Sequence, residues 1–161
     1  MFKFIKTEMA KKWEEEGYNF FPTRATTRSS GYDLCVCIDE EKIVLTPQEV
    51  VKIPTGIKLW IGSDSLYEDA DIPITFAGIL LPRSSCPGFV LTNTIGLIDS
   101  DYQGEIFVKV RNITNDIITL IRGERFAQLV IVPTATPHLI EVDVFNKVTE
   151  RNEGGFGHTG R

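Results

Sequence analysis

The spacing of apolar and polar residues changes character once along this chain. From about Lys3 to Glu16 there is no Gly or Pro, and Lys11 and Lys12 stand beside Glu14, Glu15 and Glu16. That pattern predicts a short N-terminal helical segment. Beyond Gly17 the texture becomes short runs rich in Val, Ile, Thr and Phe, each stopped by Gly, Pro, Asn or Asp, which is the signature of strands and turns. Strands are expected over 34–38, 50–53, 57–61, 74–81, 89–93, 105–111, 116–121 and 125–132. Many short strands with almost no helix between them favour an all-β fold, a distorted jelly roll or β-barrel, over any α/β arrangement.

The 161 residues suit one domain with one core. Residues 1–20 read as an N-terminal extension of it, 62–71 as an acidic loop insertion (GSDSLYEDAD), and 148–161 as a glycine-rich tail able to act as a flexible lid. A net charge of −5 offers no overall field for a nucleic-acid backbone, so no stable nucleic-acid binding is expected. Charge, Gly or Pro interrupts every apolar run well short of the roughly 20 residues that a membrane helix needs. The opening MFKFIKTEMAKKWEEEG has neither the apolar stretch nor the cleavage site of a secretory signal. Cys35, Cys37 and Cys86 are odd in number and lack metal-like spacing. A cytoplasmic location is expected, with Cys35 and Cys37 facing the same side of a strand as small buried apolar residues.

Five places hold more chemistry than turns require. In Ser29-Ser30-Gly31-Tyr32-Asp33-Leu34, Gly31 allows a tight backbone and Asp33 opens a strand; alone, Asp33 reads as a turn acceptor. In Leu81-Pro82-Arg83-Ser84-Ser85, a guanidinium and two hydroxyls follow an apolar strand, a combination that suits phosphate oxygens. The third runs from Asn93 to Gly104 (NTIGLIDSDYQG). Here a carboxylate could poise a water and an aromatic ring could lie on a flat ligand, although composition alone favours an ordinary hairpin with Asp99 and Asp101 as turn formers. In Arg122-Gly123-Glu124-Arg125-Phe126-Ala127-Gln128-Leu129, Gln128 must find partners in an apolar run, either backbone or ligand, while Arg122 and Arg125 read as structural or as subunit contacts. The fifth, Arg151 to Arg161 (RNEGGFGHTGR), has four glycines and reads as a lid or as a disordered tail.

Taken in order, SSGYDL, LPRSS, NTIGLIDSDYQGEI, RGERFAQLVIVP and RNEGGFGHTGR resemble the five motifs of the trimeric dUTPase family, from about Phe21 to Arg161. The Gly-x-Ile-Asp-x-x-Tyr-x-Gly core of the third and the Gly-Gly-Phe-Gly of the fifth are the most specific. The resemblance implies hydrolysis of dUTP to dUMP and pyrophosphate, which keeps uracil out of DNA and supplies dUMP for dTMP synthesis. Asp99 would orient and deprotonate the water that attacks the α-phosphorus in line. Arg83, Ser84 and Ser85 would hold the phosphate chain, with Gln128 near the α-phosphate and Arg151, His158 and Thr159 closing on the γ-phosphate. Asn93 and the backbone at Leu97 and Ile98 would bond the uracil edge, Phe156 beside Gly157 would stack on the ring, and Tyr102 would lie against the deoxyribose. Phe107 would line the same pocket, and Asp33 would support it. The resemblance further implies Mg2+ held through the triphosphate and water, and a homotrimer whose sites each draw on three chains.

Several features depart from the family pattern. Asn152 stands where Gly usually follows the fifth-motif Arg, Ser85-Cys86-Pro87-Gly88-Phe89 is short, and both the 62–71 loop and the N-terminal extension are long. Two other functions share parts of the pattern. A dCTP deaminase-like enzyme would need a catalytic Glu in the strand Glu105-Ile106-Phe107-Val108-Lys109-Val110, where Lys109 occupies the expected place. A non-catalytic dUTP-binding regulatory trimer would bind without turnover.

Overall fold

In the computed structural model, residues 2–62, 73–92, 95–147 and 149 are described. The chain enters through strand β1 (Lys3–Lys6) and helix α1 (Glu8–Glu15), then runs through β2 (Gly31–Cys35), β3 (Lys42–Leu45), β4 (Val50–Trp60), β5 (Ile74–Pro82), β6 (Phe89–Leu91), β7 (Gly96–Ile98), β8 (Glu105–Asn112), β9 (Ile118–Ile121) and β10 (Arg125–Ala135). All pairings are antiparallel. One sheet has the order β1-β4-β8-β6, a second β2-β10-β5-β7, and β3 pairs with β9 alone. This is the all-β jelly roll that the alternating pattern implies, and no helix among the described residues is long and apolar enough to cross a membrane.

The core follows from strand periodicity. On β8, Ile106, Val108 and Val110 turn inward and are fully buried, while Lys109 and Arg111 face out. Opposite them lie Leu34, Leu80, Phe126 and Leu129 from the second sheet, and β3 and β9 contribute Leu45, Ile118 and Leu120. Each such side chain contributes about 1.5–3 kcal/mol on leaving water. A second cluster joins Ala10 and Trp13 of α1 to Phe20, Cys35 and Cys37. The two thiols therefore share a side, away from the main-core residues Leu34, Val36 and Ile38. Burial pushes the Cys35 thiol up to about 11 and Cys37 to about 12, which leaves both as protonated, inert packing groups.

Four expectations need correction. The segment from Lys3 to Glu16 is not one helix, because Lys3–Lys6 pairs with β4 and helix begins only after Thr7, whose Oγ1 accepts from Ala10 N at 3.3 Å. The strands expected at 50–53 and 57–61 are a single strand, β4, with a register shift against β8 between Pro54 and Lys58. β9 starts at Ile118 and not at 116, since the buried Asn112 captures the preceding turn: its Nδ2 donates to Leu45 O and Asp116 O, and its Oδ1 accepts from Thr114. β2 begins three residues earlier than expected, at Gly31. The acidic insertion lies almost wholly outside the described residues, as does the tail after 149.

Candidate active site

The third motif builds a slot. β7 hangs on the edge of β5 through the pairs Gly78↔Ile98, Ile79↔Leu97 and Leu80↔Gly96, after which the chain turns, with Tyr102 N donating to Asp99 O at 3.2 Å, and enters β8. Leu97, Ile98, Asp99, Tyr102 and Phe107 line a cavity of about 200 Å³ between the two strands. The Tyr102 hydroxyl donates to Glu105 O at 2.9 Å, which fixes the ring across the turn. Glu105 also lines the slot, but its Oε1 accepts from Gly56 N at 2.9 Å, so this carboxylate is committed to the backbone. Asp99 is exposed at the rim, and its carboxylate takes no hydrogen bond or ion pair from any described residue. Of the two carboxylates in the slot, Asp99 is the one free to accept from a water. Asn93 lies outside the described residues.

The first, second and fourth motifs meet elsewhere. Asp33 is buried, its side chain 10% exposed, and it receives two arginines: Arg83 Nε on Oδ1 at 2.8 Å and Arg125 Nη1 on Oδ2 at 3.1 Å. Arg83 Nη1 also donates to Ser85 Oγ at 3.3 Å and to Arg125 O at 3.1 Å. Arg83, Ser85 and Arg125 line a pocket of about 460 Å³, with Cys86 and the 123–124 turn completing its wall. Glu124 also stands in the wall, so the formal charges of Arg83, Arg125, Asp33 and Glu124 balance; what the pocket offers an anion is the guanidinium N–H groups that Asp33 does not take. Ser84 is exposed on the adjoining turn and is not among the wall residues.

Gln128 resolves towards the backbone, since its Nε2 donates to Pro82 O at 2.9 Å. It sits opposite Asp33 in the β10–β2 register, and its side chain occupies the space that Gly31 leaves empty: a Cβ on Gly31 would come within 2.2 Å of Gln128 Oε1. Gly31→Ala should therefore expel the amide and break its bond to Pro82, at about 1–3 kcal/mol in stability. Thermal unfolding checks this, and an unchanged Tm contradicts it.

Slot and pocket lie apart within one chain. Ile98 pairs with Gly78, so Asp99 stands a further residue from the end of β5 where Arg83 emerges. At about 3.3 Å per residue the two are roughly 20 Å apart along the strand, beyond what an aspartate and an arginine can bridge to one phosphorus. Arg151, Phe156, Gly157, His158 and Thr159 fall outside the described residues. Two wall residues were not assigned a ligand role from the sequence. From the sequence Arg125 reads as structural or as a subunit contact; its pairing opposite Cys35, two residues from Asp33, becomes visible only once β10 is laid beside β2. Lys52 lines the slot and holds its Nζ 3.9 Å from the Phe107 ring centroid, a proximity set by the β4–β8 register.

Among the described residues no three His, Cys, Asp or Glu side chains gather as a metal cage. Asp33, the buried carboxylate beside the arginine-lined pocket, has both oxygens taken by arginines. The donor set of that pocket suits phosphate oxygens and not a bare cation.

Comparison with known proteins gives a consistent result. The dUTPase family model matches residues 18–160. The chain is 46% identical over 143 residues to the deoxyuridine 5'-triphosphate nucleotidohydrolase of Sodalis glossinidius, covering 87% of each protein. It is 44% identical over 143 residues to the protein of that name from Enterobacter sp., covering 87% of this chain and 86% of that one. Among solved structures, a mutant dUTPase of Staphylococcus bacteriophage 80alpha with dUpNHpp is similar at TM-score 0.75 and 26% identity, over 100% of this chain and 99% of that one.

Proposed function

The chain belongs to the dUTPase family, and from that premise we propose that it hydrolyses dUTP to dUMP and pyrophosphate through an Asp99-activated water. The observation that carries this reading is the free Asp99 carboxylate at the rim of a slot walled by Tyr102 and Phe107. A slot of about 200 Å³ suits a nucleoside and leaves the triphosphate to extend past Asp99. There Asp99 would accept a proton from a water aligned with the α-phosphorus while the bond to the pyrophosphate oxygen breaks. Leu97, Ile98 and Asn93 would bond the uracil edge, and Tyr102 would lie against the deoxyribose and exclude a 2′-hydroxyl.

Arg83, Ser84, Ser85 and Gln128 would grip the phosphate chain, with Arg125 added to the set because it shares Asp33 with Arg83. Charge that moves onto the leaving pyrophosphate would be met by guanidinium groups already held in place. Arg151, Phe156, Gly157, His158 and Thr159 would close over the ligand. Magnesium, when bound, would sit on phosphate oxygens and water and neutralise part of their charge; the pocket residues are compatible with that, since Asp33 has both oxygens taken by arginines and Glu124 accepts from Ile121 N.

The separation of about 20 Å between Asp99 and Arg83 along β5 supports a site shared between subunits. A homotrimer supplies it, with the second and fourth motifs from one chain, the third from a neighbour and the tail from the last. Its place would be the cytoplasm.

One assay tests the reading: products from dUTP, dCTP, dTTP and UTP, with and without magnesium. Pyrophosphate and dUMP from dUTP are expected, with little turnover of UTP. Ammonia from dCTP would indicate a deaminase instead, and dUTP binding without products would indicate a regulatory trimer.

A further inference from the structure

The N-terminal segment takes no direct part in either half of the site, yet it grips the turn that forms one wall of the phosphate pocket. Trp13, buried on α1, presents its ring to Arg122, whose guanidinium carbon lies 3.4 Å from the ring centroid; the Tyr18 ring centroid is 5.4 Å away. The same guanidinium donates to three consecutive backbone carbonyls, Ile38 at 3.1 Å, Asp39 at 2.7 Å and Glu40 at 3.2 Å. Arg122 forms no ion pair among the described residues, so an aromatic face and backbone dipoles set its position.

The next residue is held as firmly. Gly123 has φ +79, and a Cβ there would meet Tyr18 Cδ1 at 2.8 Å. Its N–H donates to Val36 O at 2.8 Å, and Val36 N donates to Glu124 O at 2.9 Å. Gly123, Glu124 and Arg125 are successive wall residues of the pocket that also holds Arg83. A stack on α1 thus continues, residue by residue, into the arginine that shares Asp33 with Arg83.

We propose that Trp13, Tyr18 and Arg122 are positioning residues for the phosphate pocket, through which the N-terminal segment sets the 122–124 turn and hence the placement of Arg125 against the triphosphate. This rests on the triphosphate reading of that pocket. A stack that served stability alone would affect the whole fold alike, whereas a positioning stack acts on the phosphate half and spares the nucleoside slot, which lies on β7 and β8.

The test uses the full chain and compares Trp13→Leu, which keeps an apolar side chain without a ring, with Trp13→Phe, which keeps a ring face for Arg122. Affinities for deoxyuridine and for a non-hydrolysable dUTP analogue are measured beside KM and kcat for dUTP. Trp13→Leu should weaken the analogue by about tenfold, the scale of a modest misplacement, leave deoxyuridine affinity unchanged, and be largely rescued in Trp13→Phe. Equal analogue affinity in Trp13→Leu and wild type overturns the proposal, as does a parallel loss of deoxyuridine affinity. If Trp13→Leu does not fold, Tyr18→Leu is read in the same way, and unchanged analogue binding there overturns the proposal. A wild type that grips the analogue no better than deoxyuridine overturns the triphosphate reading itself, and this inference with it.

Discussion

Asp99→Asn is expected to bind dUTP nearly as well as the unaltered chain and to turn it over at least about a hundredfold more slowly, the usual scale for a positioned general base. The amide keeps the size of the carboxylate and its place at the end of β7, so slot and turn are preserved, but it cannot take a proton from water. No other carboxylate lining the slot can substitute, since Glu105 is bonded to Gly56 N; Asp101, two residues on, is not among the lining residues. Binding of a non-hydrolysable analogue, measured beside single-turnover rates, separates the two effects. A variant with unchanged turnover would show that another group activates the water.

Deleting Arg151 to Arg161 should abolish most activity and leave the fold intact. Among the described residues the buried cores are assembled between Ala10 and Leu129. Past β10 the chain runs without helix or strand as far as it is described, with Leu139 at 95% and Phe145 at 90% exposure. Arg151, Phe156, His158 and Thr159 are the groups proposed to close over the substrate, so their removal should be felt in turnover before stability. A near-native Tm with turnover lost is the expected pair of results. Normal turnover in the truncated protein would remove the tail from the mechanism.

Local periodicity was enough to read the jelly roll, because Ile106, Val108 and Val110 alternate with outward residues as a half-buried strand must. It was not enough at the N-terminus. Phe4 and Ile5 look as compatible with a helix as with a strand, and what decides is pairing with Leu59 and Lys58, a partner more than fifty residues away. β3 and β7 were not anticipated, being four and three residues long, too short to set a period of their own.

Legibility of the site divides the same way. That Asp99 and Tyr102 share one turn follows from adjacency in the sequence, while the roles proposed for them come from the family resemblance. Arg125 and Lys52 could not, since their places beside Asp33 and Phe107 come from strand register between distant segments. Arg122 reads from the sequence only as structural or as a subunit contact, because its aromatic partner Trp13 lies in a segment that reads as a plain charged helix.

The shared site is tested most directly by mixing two inactive chains, Asp99→Asn and Arg83→Ala, after denaturing and refolding them together. A site that takes Asp99 from one subunit and Arg83 from its neighbour is then intact in about a quarter of the assembled positions, so dUTP turnover should return to roughly that fraction of the wild-type rate. If the mixed trimers stay as inactive as either variant alone, carboxylate and guanidinium do not come from different chains, and the assembly proposed here is wrong.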